Sequence, residues 1–169
     1  MRKRVEQIIR VDQAGELGAI NIYKGQLAVL KRKKISKELR EMLEQEETHY
    51  KKFSELLLEY DVRPTILSPI WKVGAFSLGV ITAALGPKAT MACTEAVEEV
   101  IVKHYLDQAE FLKNRDKKLY RVTKKFAKEE QEHMEISKKH DTGHDKPHRI
   151  LKNGIKKLSR LAIRLSERI

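Results

Sequence analysis

The sequence contains Glu46-Glu-Thr-His49 and, much further along, Glu130-Gln-Glu-His133, which are two copies of a Glu-x-x-His pair. Residues three apart lie on one side of an α-helix, so the two members of each pair can bind the same metal ion. A single glutamate precedes the first pair by 30 residues and another precedes the second by 32. The repeated spacing predicts a centre for two metal ions with six ligands: Glu16, Glu46, His49, Glu98, Glu130 and His133.

The composition indicates an all-helical chain. Only 4 of the 169 residues are proline and 8 are glycine, and alternating strand-like stretches are lacking. A lone Glu on one helix and a Glu-x-x-His on the next, present twice, is the ligand arrangement of ferritin-like dimetal bundles. We therefore predict one domain over residues 1–169, a ferritin-like four-helix bundle with an added apolar helix and a C-terminal amphipathic helix.

Hydrophobic periodicity predicts six helices. They run from about 5 to 31, 36 to 62, 66 to 85, 88 to 113, 116 to a polar loop at 140–146, and 147 to the C-terminus. Ser36 and Ser68 are the predicted N-caps of the second and third helices, and Pro69 fits the first turn of the third.

Neighbouring residues indicate which glutamates face inward. Glu47 and Glu99 each have a lysine four residues later, at positions 51 and 103, which is the favourable order for an exposed ion pair. Glu46 and Glu98 instead share their helix faces with apolar side chains. A carboxylate on such a face is costly without a cation or a proton partner, so these two are expected to bind metal. Glu130 is preferred over its neighbours because only it lies three residues before a histidine.

Four carboxylates and two imidazoles favour iron or manganese over zinc. Two such ions can bind dioxygen and reduce it by two electrons, which gives an oxidant able to attack C–H bonds. Asp12, one turn before Glu16, is a candidate to orient a ligand histidine. His104 and Tyr105 are further candidates for a supporting role, and a surface position is the alternative for His104.

The charge pattern indicates an anionic surface as a partner. The formal net charge is +11, and segment 66–85 carries one charged residue, Lys72. Pro69, Gly74 and Gly79 argue against a spanning helix, so we expect this segment to lie shallowly in lipid or to line an apolar channel, with an ordinary core helix as the alternative. The last helix is amphipathic and basic, which fits a membrane surface or packing across a bundle end. Its predicted apolar face comprises Ile150, Leu151, Ile155, Leu158, Ala162 and Leu165.

Cysteine content and the N-terminus bear on the compartment. Cys93 is the only cysteine, so an internal disulfide is impossible and a reducing compartment is expected. The basic start is followed by a charged helical pattern and not by an apolar signal region, so no secretory signal or transit peptide is expected. Both a bacterial protein and a processed mitochondrial form are compatible with this pattern.

Three longer blocks resemble the demethoxyubiquinone hydroxylase family. They are Arg10-Val-Asp-Gln-Ala-Gly-Glu-Leu-Gly-Ala19, Gln45-Glu-Glu-Thr-His-Tyr-Lys-Lys-Phe53 and Glu129-Glu-Gln-Glu-His133. The resemblance covers the chain from Arg10 onward, although Gln13 stands where the family often has histidine. Shorter similar blocks are 62–65, 91–94, 96–99, 104–105 and 165–168.

The resemblance implies a di-iron monooxygenase of ubiquinone biosynthesis. Such an enzyme uses dioxygen to hydroxylate the ring of a polyprenylated methoxy-methyl-benzoquinone in the penultimate step. The family's iron ligands fall on the six residues already chosen, and Glu46 and Glu98 are the candidates for bridging two iron ions. Electrons would come from NADH or from the reduced quinone, and the enzyme would associate peripherally with the cytoplasmic face of a bacterial inner membrane or the matrix side of a mitochondrial one. A lipid-binding accessory protein in eukaryotes and a homo-oligomer are further implied partners.

Three other functions compete with this interpretation. A ferritin-like di-iron hydroxylase acting on tRNA would use the +11 charge, but the apolar segment 66–85 has no purpose there, and we expect no nucleic-acid partner. An iron store would need a large closed shell. A metal-free helical module would bind membranes through its last helix alone.

Overall fold

The computed structural model describes residues 2–140 and 146–168, and within these ranges the chain forms six helices and no strand. The prediction of an all-helical, ferritin-like chain is confirmed, and each predicted helix lies within a few residues of its expected place. The polar loop predicted at 140–146 falls largely outside the described residues. The helices are α1 (Arg2–Leu30), α2 (Ser36–Glu59), α3 (Ser68–Ala84), α4 (Pro87–Leu112), α5 (Lys117–His140) and α6 (Lys146–Ser166).

The starts of α2 and α3 differ from the prediction by one residue. Ile35 and Leu67 occupy the N-cap positions, and neither makes a side-chain cap hydrogen bond. Both residues are in the right-handed helical region, because a backbone turn precedes each helix. The Ser36 N–H donates to the carbonyl of Lys33 at 3.0 Å, and the Ser68 N–H donates to that of Thr65 at 3.3 Å. The two serine side chains make other hydrogen bonds: Ser36 Oγ accepts from Arg40 Nη1 at 3.2 Å, and Ser68 Oγ donates to the Thr65 carbonyl at 2.8 Å.

Two compact units make up the chain: Met1–Thr90 with Leu161–Ile169, and Met91–Arg160. The first contains α1, α2, α3 and the end of α6, and the second contains α5 with most of α4 and α6. The expectation of one domain over residues 1–169 stays a prediction.

Helix α1 is the central element of the first unit, where it packs against both α2 and α3. From Ile8 to Gln26 its buried residues lie on nearly all sides of the helix, as expected of a helix surrounded by protein. The end of α6 is attached to this unit by polar contacts. Trp71 Nε1 donates to Ser166 Oγ at 2.9 Å, and Arg4 pairs with Glu167 at 2.9 Å.

Helix α3 packs on α1 through glycine. A Cβ atom at Gly25 would collide with the Phe76 carbonyl, and one at Gly79 would collide with the Ile22 carbonyl. The two backbones therefore approach closely, and the large apolar side chains of α3 point elsewhere: Ile70, Val73 and Ile81 are exposed. The alternative that α3 is an ordinary core helix is wrong, because only its small residues are buried. Within the described residues, no helix combines the length and hydropathy needed to cross a membrane.

In the second unit, α6 is attached to α4 by two ion pairs. Lys152 lies 2.8 Å from Glu95, and Lys156 lies 2.5 Å from Glu99. Ile155, between the two lysines, is buried. The predicted apolar face of α6 is thus only partly covered, because Ile150 and Leu158 remain exposed.

Candidate metal centre

The first unit brings together Glu16 of α1 with Glu46 and His49 of α2, which we call the first half-site. These side chains are between 1% and 3% exposed. His49 Nδ1 lies 3.5 Å from Glu16 Oε2 and 3.7 Å from Glu46 Oε2. Two donors that each bind one metal ion at roughly 2.1 Å lie about 3 to 4 Å apart, so the three side chains have the separation of ligands to a common ion.

The second unit brings together Glu98 of α4 with Glu130 and His133 of α5, which we call the second half-site. All three are at most 2% exposed. His133 Nδ1 lies 3.2 Å from Glu130 Oε2, and each of the three residues offers a ligand atom within 4.8 Å of the others'. The two half-sites have the same composition, one Glu from one helix and a Glu-x-x-His from another.

Helical periodicity explains why these polar side chains are inside. On α2, Glu46 and His49 continue a buried stripe that includes Leu39, Met42 and Phe53. The stripe repeats every three or four residues, so packing the apolar members inward places these two polar side chains inside as well. On α5, the buried stripe of Leu119, Phe126, Glu130, His133 and Ser137 repeats this arrangement.

The donor chemistry of each half-site fits a transition metal. Each unit buries two carboxylates beside one imidazole, and clustered carboxylates at such low exposure require a cation or protons to offset their repulsion. Oxygen and nitrogen donors are the set expected for iron or manganese. Cys93 on α4 is fully buried but is a member of neither half-site.

The neighbouring glutamates point outward, as predicted. Glu47 and Glu99 are exposed, and Glu129, which is partly exposed, lies 3.5 Å from Lys125. The ion pairs found join Glu47 to Lys24 at 2.9 Å and Glu99 to Lys156. The sequence predicted partners four residues later on the same helix, whereas these ion pairs join each glutamate to a lysine of another helix.

The predicted supporting residues differ in burial. Asp12 and Tyr105 are 3% and 2% exposed, respectively, whereas His104 is half-buried with its Nε2 atom 2.8 Å from Gln108 Nε2. Their roles stay predictions.

Sequence reasoning assigned no role to two further buried polar residues beside the ligands. Gln13 lies three residues before Glu16, and Ser137 lies four residues after His133. The signal for them was the helical spacing itself, which places both one turn from a ligand.

Two buried clusters of carboxylate and imidazole on helices are the donor arrangement typical of all-helical carboxylate–histidine metal proteins. The chain belongs to the family described as "Ubiquinone biosynthesis protein COQ7", whose profile matches residues 3–166. The family predicted from the sequence blocks is therefore confirmed.

Curated relatives are similar over almost the whole chain. The NADPH-dependent 3-demethoxyubiquinone 3-hydroxylase, mitochondrial, of Homo sapiens is 46% identical over 172 residues, which is 99% of this chain and 79% of the relative. The 3-demethoxyubiquinol 3-hydroxylase of Rhodospirillum rubrum is 44% identical over 166 residues, covering 98% and 78%. The 5-demethoxyubiquinone hydroxylase, mitochondrial, of Saccharomyces cerevisiae is 40% identical over 182 residues, covering 98% and 78%. These names agree with the predicted hydroxylase, and nothing in them supports the tRNA alternative.

Proposed function

We propose that the protein is an oxidoreductase of ubiquinone biosynthesis that hydroxylates the ring of demethoxyubiquinone or of its reduced form. The observation that carries this proposal is the pair of buried Glu/His half-sites in a chain that is 44% to 46% identical to relatives named as such hydroxylases. The alternative of a metal-free membrane-binding module does not account for six buried ligand side chains.

Each half-site would hold an iron ion, which gives two per chain. The support is the repeat of the same three-ligand set in the sequence and the oxygen and nitrogen donors of each set. Bound iron would supply the reduction of dioxygen that ring hydroxylation requires. The chain's own contribution is to fix the ligands on helices and to keep bulk water from side chains that are at most 3% exposed.

The overall reaction needs an external reductant. One oxygen atom of dioxygen enters the ring C–H bond, and the other leaves as water with two electrons and two protons. The sequence contains no G-x-G-x-x-G stretch for a dinucleotide. The human relative is named NADPH-dependent, so NADPH joins NADH and the reduced quinone as a proposed source of these electrons.

A peripheral membrane position would give the enzyme access to a quinone whose polyprenyl tail stays in the bilayer. Exposed Ile70, Val73 and Ile81 on α3 provide an apolar surface. Helix α6 presents exposed Leu158 and Leu161 beside basic residues, a combination suited to an anionic lipid surface. The side of the membrane, an accessory protein and a homo-oligomer stay predictions.

Iron content tests the metal centre directly. After anaerobic loading with ferrous iron, we expect about two iron ions per chain in the parent and fewer in Glu98→Ala. The matched control is Glu99→Ala, which removes the carboxylate of the next residue. This variant should keep the parent's iron content.

Product analysis then tests the reaction. With a short-tailed demethoxyubiquinone, a reductant and dioxygen, the parent and Glu99→Ala should form the hydroxylated quinone, and Glu98→Ala should not. A parent that loads two iron ions but leaves the quinone unchanged would contradict the proposed substrate. Normal turnover by Glu98→Ala would contradict the ligand assignment.

A further inference from the structure

The amide of Gln13 is a buried polar group that the metal half-sites do not use. The residue is 5% exposed, and its Oε1 atom is buried without a hydrogen-bond partner among the described residues. Folding removes this acceptor from water without replacing the lost hydrogen bond, which costs free energy. A native chain seldom leaves such a group unused, so the atom is a candidate to receive a hydrogen bond from a ligand.

The position of Gln13 on α1 places it beside the first half-site. Three residues correspond to about 60° around a helix and roughly 4.5 Å along its axis, so Gln13 and Glu16 lie on one side of α1. Their neighbours on this side, Ile9 and Ile20, are 0% and 5% exposed. Gln13 is therefore a polar group in an apolar wall, one turn from a metal ligand.

We propose that Gln13 Oε1 accepts a hydrogen bond from a ring hydroxyl of the hydroquinone form of the substrate; this inference rests on the proposed function. A ligand at this atom must carry a donor, since an amide oxygen can only accept. A hydroquinone carries hydroxyl donors, whereas a quinone carries carbonyl acceptors. This oxygen can therefore bind a hydroxyl of the reduced form and cannot bind a carbonyl of the oxidised form.

Equilibrium binding tests the discrimination without relying on turnover. Anaerobic titration calorimetry on the ferrous-loaded protein would use a short-tailed demethoxyubiquinol and, separately, the corresponding quinone. We expect Gln13→Leu to weaken hydroquinone binding about fivefold, the effect of one hydrogen bond, and to change quinone binding much less. The loss of hydroquinone affinity should raise KM and leave kcat unchanged. Gln13→His, which keeps a ring nitrogen able to accept, should restore most of the affinity.

Thermal unfolding separates binding from folding. Gln13→Leu removes a buried acceptor without a partner, so its Tm should equal or exceed that of the parent. The matched control is Gln26→Leu on the same helix, because Gln26 is fully buried and its Nε2 donates to the Thr90 carbonyl at 3.5 Å. This control should lower Tm and leave hydroquinone affinity unchanged. If Gln13→Leu does not fold, Gln13→Met provides the same test with an unbranched side chain.

Three results distinguish a failure of the proposed role of Gln13 from a failure of the proposed reaction. Unchanged hydroquinone affinity in Gln13→Leu, with hydroxylation intact in the parent, would overturn the role of Gln13 alone. Gln13-dependent hydroquinone binding by a parent that forms no hydroxylated product would support the binding role and overturn the proposed reaction. A parent that binds neither form would overturn both.

Discussion

One step along a helix separates a buried glutamate from a surface charge in this protein. Glu46 is 1% exposed, whereas Glu47 reaches Lys24 on the surface. Glu98 and Glu99 repeat the contrast. Consecutive helical residues point about 100° apart, so the apolar stripe fixes which glutamate of each pair is inside. Burying the inner carboxylates costs free energy in the metal-free protein, and a bound cation should offset this cost.

A neutral substitution at Glu130 should therefore separate folding from metal binding. We expect Glu130→Gln to leave the metal-free protein folded with a Tm close to that of the parent, because glutamine has nearly the same size and shape as the buried glutamate. The rise in Tm that ferrous iron causes in the parent should be largely lost, because a ligand stabilises only in proportion to its affinity for the native state. Differential scanning calorimetry with and without iron measures both quantities.

Glu129→Gln is the matched control for this prediction. Its carboxylate makes a surface ion pair with Lys125 at 3.5 Å, and such a pair contributes about 0 to 1 kcal/mol. Both Tm values should stay close to those of the parent. An equal loss of the iron-dependent rise in the two variants would show that Glu130 has no special role in metal binding.

Spacing and neighbouring residues were sufficient to select six residues that the structure buries, but they did not identify every buried polar residue. The Glu-x-x-His pairs follow from helical geometry, and so does the outward direction of Glu47. The start of α2 was predicted at a serine cap, yet Ile35 occupies the cap position after a turn in which the Ser36 N–H donates to the Lys33 carbonyl. Such turns depend on the chain before the helix, which residue preferences at one position do not describe.

At the scale of the helix, α3 shows how small residues decide what an apolar segment does. Its composition is apolar on all sides, so the sequence left open a lipid-facing helix, a channel wall and a core helix. The structure buries Gly79, Thr82 and Ala83 and exposes the larger side chains. The close approach to α1 selects this orientation, and it depends on Gly25 and Gly79 lacking side chains.

Gly79→Ala should destabilise the protein. The added Cβ would meet the backbone of Ile22, which cannot rotate away as a side chain can. Overpacking of this kind costs about 1–3 kcal/mol, which corresponds to a fall in Tm of roughly 2–12 °C for a chain of this size. Thermal denaturation followed by circular dichroism measures the change.

Gly74→Ala is the control on the same helix, because a Cβ there would meet nothing within 4 Å. Alanine is the better helix former by about 0.5–1 kcal/mol, so this variant should have an unchanged or higher Tm. Equal behaviour of the two variants would mean that the glycine contact does not hold α3 on α1.

The exposed side of α3 leads to a prediction about membranes. Ile81→Glu should weaken binding to phospholipid vesicles and leave iron content unchanged, because Ile81 is 58% exposed and its helix is expected to enter lipid. Leu58→Glu places the same charge at an exposed leucine of α2 and is expected to leave vesicle binding intact. Vesicle sedimentation measures both, and unchanged binding of Ile81→Glu would exclude α3 from the membrane contact.

At the scale of the whole molecule, the sequence established the helical class, and one domain over residues 1–169 stays a prediction. The two compact units are divided in sequence between Thr90 and Met91, within α4, and again between Arg160 and Leu161, within α6. Uninterrupted helices carry no compositional signal, so tertiary packing alone defines these boundaries.

The net charge of +11 does not show whether attraction to an anionic membrane comes from the charge of the whole protein or from one basic helix. Helix α6 has exposed Arg160 and Arg164 near its exposed leucines, whereas α5 has exposed Lys117 and Lys124 on a stretch without an exposed large apolar side chain. Interfacial helices combine both kinds of residue, so we expect α6 to provide the electrostatic contact. A Lys or Arg near an anionic surface contributes about 1 kcal/mol, and this contribution decreases with salt.

Two double variants with the same net charge therefore should behave differently on anionic vesicles. Arg160→Glu with Arg164→Glu should weaken binding at least tenfold and flatten its dependence on salt concentration, because two contacts of about 1 kcal/mol each are lost and reversed. Lys117→Glu with Lys124→Glu lowers the charge by the same amount and should change affinity much less. Co-sedimentation across a salt series distinguishes the two, with iron content checking that both variants keep their metal centre. Equal weakening in the two variants would show that the overall charge, and not α6, attracts the protein to the membrane.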